Sequence, residues 1–137
     1  MAVANYFILG QLFGLLQQIE LIEGVAFHNF DPDDECDVEL IASRFIAPAL
    51  SATSQSNRDL VASTIAFYSL KDSSAIQILK DHCQELTLPD SESWPVFFHR
   101  IGKAIFGDKY RDRYDEINFE EVLDEQVGGN ILRPEAR

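Results

Sequence analysis

Six carboxylates fall within nine residues, Asp31, Asp33, Asp34, Glu35, Asp37 and Glu39, and His28 lies just before them. Carboxylates gathered beside an imidazole suit a divalent cation or general acid–base chemistry, and carboxylates alone attract a basic partner. An EF-hand calcium loop starting at Asp31 fails, because the glycine required at its sixth position is Cys36 and the glutamate required at its twelfth is Ala42. A looser metal site needs several carboxylates to converge, whereas successive residues of a helix point around its circumference. Asp31, Asp33 and Asp34 suit a helix start, where the dipole favours negative charge; Asp37 and Glu39 exceed what capping requires.

A second acidic set lies near the end of the chain. Asn118 with Glu121 makes a capping box, and helical spacing then places Phe119, Val122, Leu123 and Val127 on one side. Glu120, Glu121, Asp124 and Glu125 fall on the other. Like charges four apart oppose helix formation, so local helix stability does not account for them. The candidate partner-binding residues are therefore Asp33, Asp37, Glu39, Glu120, Glu121, Asp124 and Glu125.

The other reactive side chains have no motif around them. His28, His82 and His99 stand outside any H-E-x-x-H spacing, and Cys36 and Cys83 form no C-x-x-C pair. His82 and Cys83 are adjacent and point in different helical directions, while His99 beside Phe97 and Phe98 suits the polar edge of a packed helix. No Gly-rich phosphate loop follows a strand and no G-x-S-x-G elbow occurs. No catalytic residue, metal ligand or cofactor is assigned.

These groups need elements to hold them. Leu9, Leu12, Phe13, Leu16 and Ile19 recur at helical spacing, with Ile8, Leu15 and Ile22 widening the stripe, so a central helix is expected over about 4–23 and closed by Gly24. Residues 1–19 carry no charge, and Gly10 and Gly14 have the spacing of packed membrane helices. Asn5, Gln11, Gln17 and Gln18 interrupt the run and no Lys or Arg anchors it, so a buried helix is expected instead. If packing left that stripe bare, residues 6–22 would form a dimer seam.

Asp31 as cap and Pro32 at the first position start a second helix, which Pro48 kinks or ends. Residues 51–57 read as a loop, and helices over about 57–70 and 74–87 are expected to form an antiparallel hairpin. Ser93 caps a fifth helix bearing Trp94, Phe97, Phe98, Ile101 and Ile105, which Gly107 ends. Residues 108–115 mix both signs and neutralise themselves, with Tyr110 and Tyr114 extending the apolar stripe from Phe106. No strand pattern, repeat or low-complexity tract is evident.

The expected fold is all-α, a compact orthogonal or bundle-like domain of five to six helices over 1–127 with a flexible tail at 128–137. The 137 residues suit one core, and 23 acids against 11 Lys and Arg give a formal charge of −12, which disfavours direct nucleic-acid binding and favours a basic protein partner. Two unpatterned cysteines and no convincing signal peptide point to the cytoplasm. The expected function is an acidic helical protein-binding module, an inhibitor or immunity-type protein that docks on a basic surface. The alternatives are a small metal-dependent hydrolase using His28 with its neighbouring carboxylates, and an assembly subunit dimerising through the first helix.

Overall fold

Asn5 decides where the first helix begins. Its side chain accepts from the Phe7 N–H at 3.0 Å, so Ala2–Asn5 stays extended as β1 and α1 runs Tyr6–Glu23 rather than starting at residue 4. Gly24, at φ +71°, closes α1 with its N–H on the Glu20 carbonyl at 3.0 Å. The computed structural model describes residues 2–71, 74–114 and 119–122.

The α1 stripe is covered by this chain. Ile8, Leu9, Leu12, Phe13, Leu15, Leu16 and Ile19 are all buried, and the Phe13 ring meets Trp94 and Phe98 edge-on at 5.1 and 5.5 Å. The condition for a dimer seam along 6–22 is therefore not met; the large apolar side chains left exposed there are Leu21 and Ile22, at the end of the helix.

The second helix starts later than Asp31 and Pro32 suggest. Asp34 is its cap, accepting from the Asp37 N–H at 3.0 Å, and α2 covers Glu35–Ile41. A competing local bond is the cause: Asp31 Oδ1 accepts from the Asp33 N–H at 2.8 Å, which holds a turn where helix was expected. From α2 the chain passes without a break through a π turn, Ala42–Ile46, into α3, Ala47–Ser51. The Ala47 N–H reaches back five residues to the Ala42 carbonyl, and Pro48 follows in the first turn of α3. Pro48 therefore does not end the run, because the widened turn before it absorbs the misfit of its ring.

Ser54 caps α4, Gln55–Ser69, and α5 covers Ala75–Asp81. The expected hairpin between them does not form, because α5 packs on α1 instead. Gly10 makes the groove for it: a Cβ there would stand 3.2 Å from Leu79 Cδ2. Helix α5 also stops short of residue 87, and the chain beyond lies along α1, tied by the Glu85 N–H to Gln17 Oε1 at 3.0 Å with Leu86 and Leu88 buried. Ser93 caps α6, Trp94–Phe106, which packs on α4 and ends at Gly107, φ +99°. A 3-10 turn, Tyr110–Tyr114, follows. With α2, the π turn and α3 counted as one run, the described residues form five α-helices in a compact, mostly helical domain.

Residues Phe119–Val122 are a strand, β2, not the start of a last helix. It pairs in parallel with β1, Ala2 opposite Phe119 and Asn5 opposite Val122. Other polar groups of β1 are met by α4: the Ser63 hydroxyl donates to the Val3 carbonyl, and Thr64 Oγ1 accepts from the Asn5 N–H at 3.1 Å. Pairing satisfies backbone groups of β1 that a helix at 119–122 would leave without partners, and the like-charge repeat had already weakened the helical option. The Phe119 ring then packs on Phe67 and Tyr114 at 5.1 and 5.7 Å. The continuation expected over 123–127 and the tail at 128–137 lie outside the described residues.

Candidate functional site

The acidic run is a loop tied by its own carboxylates. Asp37 Oδ2 accepts from the Asp31 N–H at 2.8 Å, Asp34 Oδ2 from the Asp37 N–H, and Asp31 Oδ1 from the Asp33 N–H. Asp33 reaches outward to the chain before α6: its Oδ1 accepts from the Ser91 hydroxyl at 2.6 Å, and both its oxygens from the Glu92 N–H at 3.1 Å. Cations of α6 complete the frame, Arg100 donating to the Asp33 carbonyl at 2.8 Å and Lys103 lying 3.9 Å from Glu35.

The candidate acids accordingly divide. Asp33 and Asp37 hold the loop, whereas the Glu39 side chain is exposed and makes no hydrogen bond or ion pair among the described residues. In β2 the expected shared face is lost, since neighbouring strand residues point to opposite sides. Glu121 turns to α4, where it accepts from the Tyr68 hydroxyl at 2.5 Å and pairs with Lys71 at 3.5 Å, while Glu120 is exposed. Burial first, and the Glu121 carboxylate second, push the Tyr68 phenol far above its ordinary range. Asp124 and Glu125 lie outside the described residues. The two acidic groups are thus carried by different parts of the fold, one facing α6 and one facing the end of α4.

His28 does not gather the acidic run around itself. Its backbone N–H donates to Thr87 Oγ1 at 3.0 Å, and its ring Nδ1 lies 3.5 Å from the same oxygen. Thr87 belongs to a clamp on Glu20, whose carboxylate accepts from the Thr87 N–H at 2.8 Å, the Phe27 N–H at 2.9 Å and the Thr87 hydroxyl. Partial burial opposes ionisation of Glu20, but these bonds and the nearby His28 outweigh it and hold its pKa below the usual value. Among the described residues no three His, Cys, Asp or Glu side chains are grouped to hold a metal ion, and no helix is long and apolar enough to cross a membrane.

Sequence spacing missed two arrangements. His99 is held by both ring nitrogens, Nδ1 lying 3.1 Å from the Tyr110 hydroxyl and Nε2 3.3 Å from the Arg111 guanidinium. Arginine only donates, so Nε2 carries the lone pair and Nδ1 the proton. Burial, then Arg111, Lys103 and Arg100, lower the pKa of His99 and favour the neutral ring. The second arrangement joins α4 to the 3-10 turn: Gln55 accepts from Arg58 at 2.9 Å and donates to Asp59 at 2.8 Å, at the rim of a cavity shared with Arg113. The pair from Gln55 to Asp59 was not expected, because residues 51–57 read as a loop whereas α4 begins at Gln55, and the cavity needed the fold.

No protein-family model, no curated protein and no solved structure matches this chain.

Proposed function

We propose that this chain is an acidic helical protein-binding module that docks on a basic partner surface, in the manner of an inhibitor or immunity-type protein. The observation that carries the reading is the self-tied loop at 31–39. Asp31, Asp33, Asp34 and Asp37 spend hydrogen bonds on holding the backbone, and the loop is clamped to the chain before α6. Glu39 then projects from a frame already ordered in the free protein, which lowers the ordering cost of binding and favours fast encounter with a cationic surface. A net charge of −12 adds long-range attraction of the same sign. The two free thiols, Cys36 and Cys83, suit a reducing compartment, and we place the protein in the cytoplasm.

The test separates docking carboxylates from loop-holding ones. Glu39→Lys and Glu120→Lys are combined, and the protein is used to capture partners from native lysate across a salt series, followed by association kinetics with the captured partner. A slower, less salt-sensitive association than wild type is expected. Association unchanged in rate and salt dependence removes the reading.

A further inference from the structure

Between α4, the end of α6 and the 3-10 turn lies a cavity of about 240 Å³. Its apolar wall is Ala62, Phe106, Tyr110 and Tyr114; its polar rim is Gln55, Arg58, Asp59 and Arg113. The volume falls below the roughly 300–1,000 Å³ of drug-sized sites, which suits a small metabolite better than a nucleotide.

The rim carries both signs of charge, and they do not neutralise each other. The ion pairs among the described residues are Lys71–Glu121, Lys80–Asp90 and Lys103–Glu35, so neither arginine of the rim is paired with Asp59. Arg58 is fixed by its neighbours: its Nη1 donates to the Thr53 and Leu50 carbonyls at 2.6 and 3.4 Å and its Nη2 to Gln55. That use leaves guanidinium donors over for a carboxylate. The Gln55 amide holds Asp59 through its other end, fixing an anion and a cation on one rim. Arg113 stands over the Tyr114 ring at 5.4 Å and also lines the cavity.

We infer that this cavity binds a free α-amino acid with an apolar side chain. The carboxylate meets Arg58 and Arg113, the ammonium meets Asp59, and the side chain packs on Ala62, Phe106 and the tyrosine rings. A simple organic anion satisfies the arginines and leaves Asp59 opposed. A simple amine satisfies Asp59 and meets two cations. A zwitterion meets both requirements at once, which makes it the favoured occupant.

Isothermal titration of the full chain with L-phenylalanine, phenylacetate and phenethylamine tests this. L-Phenylalanine is expected to bind at one saturable site, roughly tenfold or more tighter than either single-charge analogue. Arg113→Gln, at an exposed position, is expected to weaken that binding roughly tenfold with the thermal midpoint unchanged, and Asp59→Asn to remove the preference over phenylacetate. No saturable binding of L-phenylalanine at millimolar concentration, equal binding of phenylacetate, or an Arg113→Gln protein that binds like wild type would each overturn the inference.

Discussion

Tyr110 lies directly on the backbone of Gly102: a Cβ built at position 102 would fall 2.4 Å from Tyr110 Cζ and 2.7 Å from its hydroxyl oxygen. Gly102 is therefore what lets the 3-10 turn close on α6, and it does so from a helix interior where glycine is intrinsically unfavourable. The same phenol hydroxyl is the partner of His99.

Gly102→Ala improves helix propensity by about 1 kcal/mol, yet the clash with a buried ring should dominate. A net loss on the order of 1–3 kcal/mol is expected in urea unfolding. Adding Tyr110→Ala to Gly102→Ala should give less destabilisation than the two single losses summed, because the clash is shared. Strict additivity would show that Tyr110 does not sit on Gly102.

Acid should weaken the fold in two stages. His99 has its pKa lowered from the ordinary 6.5 by burial and by neighbouring cations, so the unfolded chain takes up its proton first as pH falls. Stability from neutral His99 is full above about pH 6.5 and declines below it. Glu20 is also lowered, from an ordinary 4.5, so its contribution is present above that value and is lost as pH falls through the folded pKa. His99→Gln keeps an acceptor for Arg111 and a donor for Tyr110, and should remove the first stage while leaving the second. Unfolding midpoints measured from about pH 7 down to about pH 3 decide the matter, and an unchanged first stage in the variant would reject the assignment.

Within the acidic loop, stability and docking should separate by residue. Asp33→Ala removes the acceptor of the Ser91 hydroxyl and the Glu92 N–H, and is expected to lower stability by about 1 kcal/mol, a value reduced by the exposure of the site. Glu39→Lys removes no intramolecular bond and should stay within about 0.5 kcal/mol of wild type. Equal losses in chemical denaturation would refute the division.

Because the α1 stripe is buried against α6 and its neighbours, Phe13→Ala should cost about 3–5 kcal/mol and Leu12→Ala about 2–5 kcal/mol. Sedimentation of the wild-type chain at micromolar concentration is expected to show a monomer. A dimer that survives high salt would point to an apolar seam through Leu21 and Ile22 instead.

Much of the helical architecture was legible locally. The stripe of α1, the left-handed Gly24, the Ser93 cap and the Gly107 stop all follow from properties of a few neighbouring residues, and all are found where spacing put them. The errors have two causes: at 31–37 short side-chain-to-backbone bonds outbid the helix, and elsewhere a distant partner outbid a local preference. At 119–122 the helical spacing was real, but β1 offered backbone pairing from the opposite end of the chain. At 82–87, side chains of α1 took the N–H groups that a longer α5 would have used. Asp37 looked surplus to capping because its bond to the Asp31 N–H crosses a turn that periodicity does not describe.

By itself the amino-acid order determined that the chain is helical, acidic outside and apolar along its first helix, because charge and 3.6-residue periodicity are properties of near neighbours. Tertiary structure decided which carboxylates are spent on the fold and which face outward, where Tyr110 rests, and that Arg58, Asp59 and Arg113 surround one cavity. Those outcomes depend on groups dozens of residues apart arriving at hydrogen-bonding distance, and no local pattern encodes that distance.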